Sequence, residues 1–254
     1  MTQLPVPTAR ARHKASREQQ LLALAQQILQ QDGFAGLTMD RLTALSDVSK
    51  GTVYNHFCSK EDLFSALSIR SLQQQLVVVQ RALALQGHSR ERALALHCAY
   101  YHYARTEPTL FLCLLTATMP AVLEKTSAAR LAQRRQLEQQ LATICADLIQ
   151  QAVAVGALTL PTTSAVDSWS FLHWAYALGS NLLFEPSRQM GLFGGLQPEQ
   201  QLQAGLHILL DGMQWQPLSQ HWDYQHSWQR ISQQLQTTLT APGGTVNAES
   251  EQKE

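Results

Sequence analysis

Apolar residues along this chain recur at intervals of three and four, and nowhere alternate as one face of a strand would. Leu21, Leu22, Ala25, Ile28 and Leu29 form one such stripe. The capping-box pattern Ser16-Arg17-Glu18-Gln19 opens it, and Asp32-Gly33 closes it, because glycine supplies a left-handed C-terminal turn. Thr38 can cap a short second helix, with Asp40 in the first turn and Leu42 and Leu45 facing inward. After the break Ser46-Asp47-Val48, in which Asp47 tolerates a left-handed conformation, Ser49 can cap a third helix from Lys50 to about His56. A second capping pattern, Ser59-Lys60-Glu61-Asp62, starts a long helix through Leu63, Leu67 and Leu76 to about Leu85. Further helices are predicted over 89–105, 107–118, 120–156 with a break near Ser127, 163–184, 198–215 and 221–239. Their boundaries are the breakers Glu107-Pro108, Met119-Pro120, Gly156–Pro161, Glu185–Pro198 and Gln216-Pro217. The fold class is therefore all-α.

Composition agrees. Only 13 of the 254 residues are glycine and nine are proline, while leucine, alanine and glutamine dominate. Residues 1–15 are basic, contain proline and lack periodicity, so they read as a flexible arm. Residues 241–254 are rich in Gly, Ser and Glu and read as a disordered tail. Cys58, Cys98, Cys113 and Cys145 lie far apart with no C-x-x-C, which argues against a disulfide framework or a structural zinc site. The basic start leads into no secretory signal, and no apolar run reaches the ~18–20 residues of a membrane span. A cytoplasmic chain that does not enter a membrane is expected.

Net charge is zero, which by itself speaks against nucleic acid. The total hides a distribution. Residues 1–17 carry +4, residues 18–62 carry −3, residues 63–241 carry +1, and the remainder carries −2. A cationic field can therefore come from the N-terminal arm, including Arg10 and Arg12, with Lys50 and Lys60.

Residues 33–63 hold the informative chemistry. Two short helices joined by a three-residue turn are a helix-turn-helix unit, whose second helix enters the major groove of DNA. Gly51 and Thr52 are small where that helix meets the duplex, and Lys50 projects a point charge beside them. Tyr54 and His56 carry donors suited to phosphates, and Lys60 adds a cation in the next helix's first turn. Val53 and Phe57, four apart, hold the helix on its core.

The string from Gly33-Phe34 through Ser49-Lys50-Gly51-Thr52-Val53-Tyr54-Asn55-His56-Phe57 to Ser59-Lys60-Glu61-Asp62-Leu63 closely resembles the DNA-binding domain of TetR-family transcriptional regulators, over about residues 16–65. One departure is Ser46-Asp47 where the family commonly has Ala-Gly. The resemblance implies a helix-turn-helix domain over 16–62 and a helical ligand-binding and dimerisation domain over 63–240. It also implies a homodimeric repressor, released from a palindromic double-stranded DNA operator by a small-molecule inducer. By the family pattern Thr38, Met39, Ser49, Lys50, Gly51 and Thr52 face DNA, and Tyr54, His56 and Lys60 meet phosphates.

The sensor half holds all five tryptophans. An apolar or aromatic effector is expected, with Tyr101, Phe111, Leu115, Trp169, His173 and Tyr176 as candidate lining. Cys98 and His102 share a helical face, but no third ligand accompanies them and no metal or other cofactor is implied. Helix 163–184 sets small residues beside large ones, and helix 198–215 has a leucine stripe. The family places its dimer interface on such a pair, here Leu172, Ala175, Gly179, Leu183, Leu202, Leu206, Leu209 and Leu210. The segment beyond Trp222 either covers that interface or caps the sensor. An alternative is a global or cell-division regulator of the same fold without an inducer. An enzyme is not expected: G-x-S-x-G, G-x-G-x-x-G, P-loop and H-E-x-x-H motifs are all absent, and Gly191–Gly195 follows no strand.

Overall fold

Helices make up the whole of the regular structure among the described residues, which in this computed structural model are 8–162, 165–192 and 195–240. In chain order they are α1 (Ala9–Gly36), α2 (Met39–Leu45), α3 (Lys50–His56), α4 (Lys60–Leu83), α5 (Ser89–Thr106), α6 (Pro108–Thr116), α7 (Pro120–Leu123), α8 (Ala128–Ala154), α9 (Ala165–Gln189), α10 (Pro198–Gly212) and α11 (Tyr224–Thr240). A single 3-10 turn, Ser219–His221, precedes α11. The tail expected over 241–254 and the first seven residues of the arm lie outside the described residues.

Four local outcomes differ from the sequence reading, the first being that Leu45, expected to face inward with Leu42, is exposed. Helix α1 begins at Ala9 instead of Ser16, with the Thr8 side chain accepting from Ala11 N at 3.2 Å. Residues 9–15 are helical yet wholly exposed. Their Ala, Arg and Lys content favours a helix by propensity, and a helix that buries no face shows no apolar period. The turn before α3 is built without a left-handed residue at Asp47. Ser46 closes it instead, donating to Thr43 O at 3.0 Å. Helix α9 carries Pro186 within it and ends at Gln189 instead of near 184.

The chain divides into two compact units. Among the described residues, one comprises those up to Gln74 together with Thr106–Gln140; the other comprises Gln75–Arg105 and those from Leu141 to Thr240. Helix periodicity follows chain order and gave no sign of this interleaving.

In the first unit the predicted stripe of α1 meets Leu37, Met39, Leu42, Val53, Phe57, Leu63, Phe64 and Leu67 in one core. Leu110, Cys113 and Val122, from α6 and α7, complete it. Gly33 takes φ +68°, so the α1 backbone leaves helical geometry there and turns toward α2. Burying these side chains, each removing ~1.5–3 kcal/mol worth of apolar surface from water, fixes α2 and α3 on α1 and α4.

In the second unit α11 docks by Trp228, Ile231 and Leu235, all buried. Its polar edge is tied to α5: Ser227 Oγ and Arg230 donate to Glu91 at 2.7 and 2.8 Å. Trp228 Nε1 donates to Glu199 of α10 at 2.6 Å. The C-terminal helix is therefore part of this unit's own core. Arg90, fully buried, pairs with Asp211 at 2.6 Å, donates to Trp215 O at 2.7 Å and lies 4.6 Å from the centre of the Tyr224 ring. On α9 the Tyr176 hydroxyl reaches the Gln201 and Leu202 carbonyls of α10 at 3.1 and 3.0 Å. Gly205 makes room for it, since a Cβ there would collide with that hydroxyl.

Candidate nucleic-acid interface

Helices α2 and α3 are each seven residues long, too short to persist alone, and their ends are fixed by side chains. Thr38 accepts from Arg41 N at 3.1 Å, and Ser49 accepts from Thr52 N at 3.3 Å. Val53 and Phe57 are both fully buried and seat α3 on the core, as their four-residue spacing predicts.

Opposite that seat lies an exposed face formed by Thr38, Ser49, Lys50, Gly51 and Tyr54, with Thr52 half-buried at its edge. Ser49 and Thr52 share a hydrogen bond between their hydroxyls at 3.0 Å. Packing does not demand the glycine at 51, where a Cβ would meet only Ser49 Oγ, at 4.0 Å. What its bareness permits is close approach from outside the fold. Lys50 is paired with Asp40 at 2.7 Å and sits 5.9 Å from the centre of the Tyr54 ring. The hydrogen bond and charge of Asp40 raise the Lys50 pKa, so this cation is fully protonated at neutral pH.

Three expected contacts are placed differently. Met39 is 8% exposed, and its side chain belongs to the core, so at this position only backbone faces outward. His56 turns inward: its Nδ1 lies 3.3 Å from Glu18 Oε2. Lys60 donates to the Phe34 carbonyl at the end of α1, at 2.9 Å, and lies over the Phe64 ring. Each satisfies a group of the fold instead of projecting from it. Arg10 and Arg12 are exposed on the first turns of α1.

Sequence reasoning missed Arg130 on α8. Its Nη1 pairs with Glu18 at 3.0 Å, its Nε with Asp62 at 3.2 Å, and its Nη2 donates to the His56 carbonyl at 2.8 Å. The guanidinium lies 5.0 Å from the centre of the Phe57 ring. One side chain thus joins α1, the C-terminal end of α3 and the first turn of α4. Asp62 also accepts from Ser127 N at 3.0 Å and Cys58 N at 3.3 Å. Burial would raise its pKa, but the Ser127 N–H and Arg130 outweigh burial and hold it below the ordinary value. No periodicity marks such a residue, because its partners are distant in sequence.

Neighbouring Cys58 is exposed, and partial burial of the thiol with Asp62 beside it raises its pKa. That disfavours the thiolate a redox switch needs. Among the described residues there is no group of three or more His, Cys, Asp or Glu placed to hold a metal ion. His102, on the same helical face as Cys98, shares a 2.8 Å hydrogen bond with Ser232. No helix among the described residues is long and apolar enough to cross a membrane.

The candidate effector residues fall in both units. Phe111 and Leu115 belong to the first unit, and Tyr101, Trp169, His173 and Tyr176 to the second. Tyr101 is buried, and His173 is buried in a 2.8 Å hydrogen bond to His97. Tyr176 lines a cavity of about 370 Å³ between α9 and α10, together with Gly179, Phe184, Leu192 and Leu196. Ala175, Gly179, Leu183 and Leu202, expected at a dimer interface, all line this cavity. Leu202, Leu206 and Leu210 are buried within the unit, so they are core and not free surface; Leu209 is half-buried. Among the described residues, the large apolar side chains exposed on this helix pair are Phe171, Leu172, Trp174, Leu183 and Ile208. Ile208, at 76% exposure, was missed because it falls outside the leucine stripe.

Residues 21–67 match the family model for bacterial regulatory proteins, tetR family. HTH-type transcriptional regulators of Mycobacterium tuberculosis and Mycobacterium bovis are 39% identical over 61 residues, 24% of this chain and 30% of theirs. The match therefore spans under a third of those relatives. Solved structures extend the likeness as a fold. A transcriptional regulator of the TetR/AcrR family from Thermobifida fusca superposes with TM-score 0.59 at 19% identity, over 78% of this chain and 98% of the other. The ketosteroid transcriptional regulator of Mycobacterium tuberculosis gives 0.56 at 19% identity, over 78% and 94%.

Proposed function

We propose that this chain, whose N-terminal domain is that of the TetR-family transcriptional regulators, acts as a homodimeric repressor that leaves its operator when a small molecule binds. The observation that carries the reading is the face of α2 and α3, with capped helix ends, a bare Gly51 and a fixed Lys50, inside a domain that matches this family. Phosphate contacts would position the face, and base edges would be read from α3. The exposed apolar positions of α9 and α10 favour self-association through that helix pair. The α9–α10 cavity, within the usual volume range of ligand sites and lined mainly by apolar side chains with Ser180, Ser187 and Gln201 among them, favours an apolar or aromatic effector.

The test is selection of duplexes from a random pool by the full-length chain, followed by release assays with apolar and aromatic compounds. The expected outcome is a twofold-symmetric site with half-sites about one helical turn apart, bound by a dimer, as light scattering reads it. Binding indifferent to sequence, or a monomer on DNA, would overturn the reading.

A further inference from the structure

Both cations carried by α2 and α3 are already paired with acids of the fold. Arg41 meets Asp32 at 2.6 Å, and Lys50 meets Asp40 at 2.7 Å. The second pair is the one on the outward face: the Lys50 and Asp40 side chains are 63% and 79% exposed. Lys50 Nζ also lies 5.9 Å from the centre of the Tyr54 ring. Its ammonium therefore cannot be reached without bringing the same partner close to the Asp40 carboxylate.

That geometry discriminates between partners. A phosphate drawn to Lys50 meets Asp40 as a like charge. A base edge offering an acceptor beside a donor satisfies both members of the pair. In the major groove a G·C pair has that edge: guanine O6 and N7 accept, and cytosine N4 donates. Guanine O6 and cytosine N4 lie about 2.9 Å apart, as hydrogen-bonded atoms, which is close to the separation of Lys50 Nζ and Asp40 Oδ1. An A·T pair sets adenine N6 beside thymine O4 at the same spacing, so the spacing alone does not choose; guanine alone offers lysine two adjacent acceptors, O6 and N7, on one base.

Resting on the DNA-binding reading above, we propose that the Asp40–Lys50 pair reads a G·C base pair in each half-site. Lys50 donates to guanine, Asp40 accepts from cytosine N4, and Asp40 is thereby a specificity-determining residue. The acid sacrifices affinity for DNA in general and gains discrimination at one position.

The experiment is competition binding by the full-length chain, its D40N and D40A forms and K50A, against operator duplexes varied at each base pair in turn. Circular dichroism checks that each form remains folded; both residues are exposed, so it should. Wild type should prefer G·C at one symmetric position by about tenfold over the other pairs. D40A and D40N should lose that preference while binding random-sequence duplex as tightly as wild type or more tightly. K50A should lose the same preference and also bind more weakly. Unchanged base preferences in both Asp40 variants, with affinity raised uniformly, would overturn the proposal and leave Asp40 as a mere damper of Lys50. A wild-type preference for A·T at the affected position would overturn it too. A wild type with no base preference anywhere would instead bring down the DNA-binding reading itself.

Discussion

Arg130→Ala removes a side chain that joins α1, α3 and α4. The guanidinium is 12% exposed and Asp62 is 3% exposed, so the substitution strands a carboxylate away from water. Removing one partner of a buried pair costs ~3–5 kcal/mol. Here Asp62 keeps its Ser127 and Cys58 N–H donors, which reduces the loss, whereas the His56 carbonyl loses its Arg130 donor. Glu18 is more exposed, so its share of the loss is small. A net cost of ~2–3 kcal/mol follows, or roughly a 5–10 °C fall in melting temperature for a chain of this size. The pH dependence has a definite sign. The folded Asp62 pKa is depressed, so its contribution is present above the ordinary carboxylate range and lost as pH falls through it. The gap between wild type and variant should therefore narrow below about pH 4. Denaturant melts of wild type, R130A, D62N and the double variant provide the assay. The double variant should be less destabilised than the sum of the singles, by at least ~1 kcal/mol. Additive losses, or an R130A melt within ~0.5 kcal/mol of wild type, would refute the reasoning.

Three other outcomes are expected. Lys50→Ala and Tyr54→Ala should each weaken binding to the selected duplex at least about tenfold in fluorescence anisotropy, while sedimentation shows the association state unchanged. Gly205→Ala places a methyl against the Tyr176 hydroxyl and should cost ~1–3 kcal/mol by overpacking; an unaltered melt would contradict that contact. The third concerns His97 and His173. Burial, and for His97 also its partner, lower both pKa values, that of His173 to about 4. The unfolded rings take protons from about pH 6.5 downward, so stability is full above that pH and falls as pH drops toward 4, by at most ~1.4 kcal/mol per pH unit for each ring. Replacing both by leucine should flatten the profile of melting temperature against pH in that window; an identical slope would show that the pair is not its source.

Much of the fold was legible because helices announce themselves locally. Thr38, Ser49 and Ser59 cap where the sequence placed caps, and Pro108, Pro120 and Pro198 each stand at a helix start. Orientation was harder. The family pattern puts Met39, His56 and Lys60 on the DNA side, but each has a partner inside the fold that only the tertiary structure supplies. Arg130 was invisible for the same reason: its partners lie 68 to 112 residues away. The leucines of α10 show a third limit. Periodicity says that Leu202, Leu206 and Leu210 turn toward something apolar, but not whether that is their own chain or another.

The pairing of Lys50 with Asp40 and Arg41 with Asp32 also bears on how fast a target is found. A reading surface whose charges are already balanced exerts little pull beyond a Debye length, ~8–10 Å at ordinary ionic strength. Encounter would then be steered chiefly by the exposed first turns of α1, with Arg10 and Arg12, while α3 acts only on arrival. Such a protein would linger briefly on foreign sequence and travel by frequent hops instead of long slides. Trimming the chain to begin at Ser16 would slow association far more than it hastens departure.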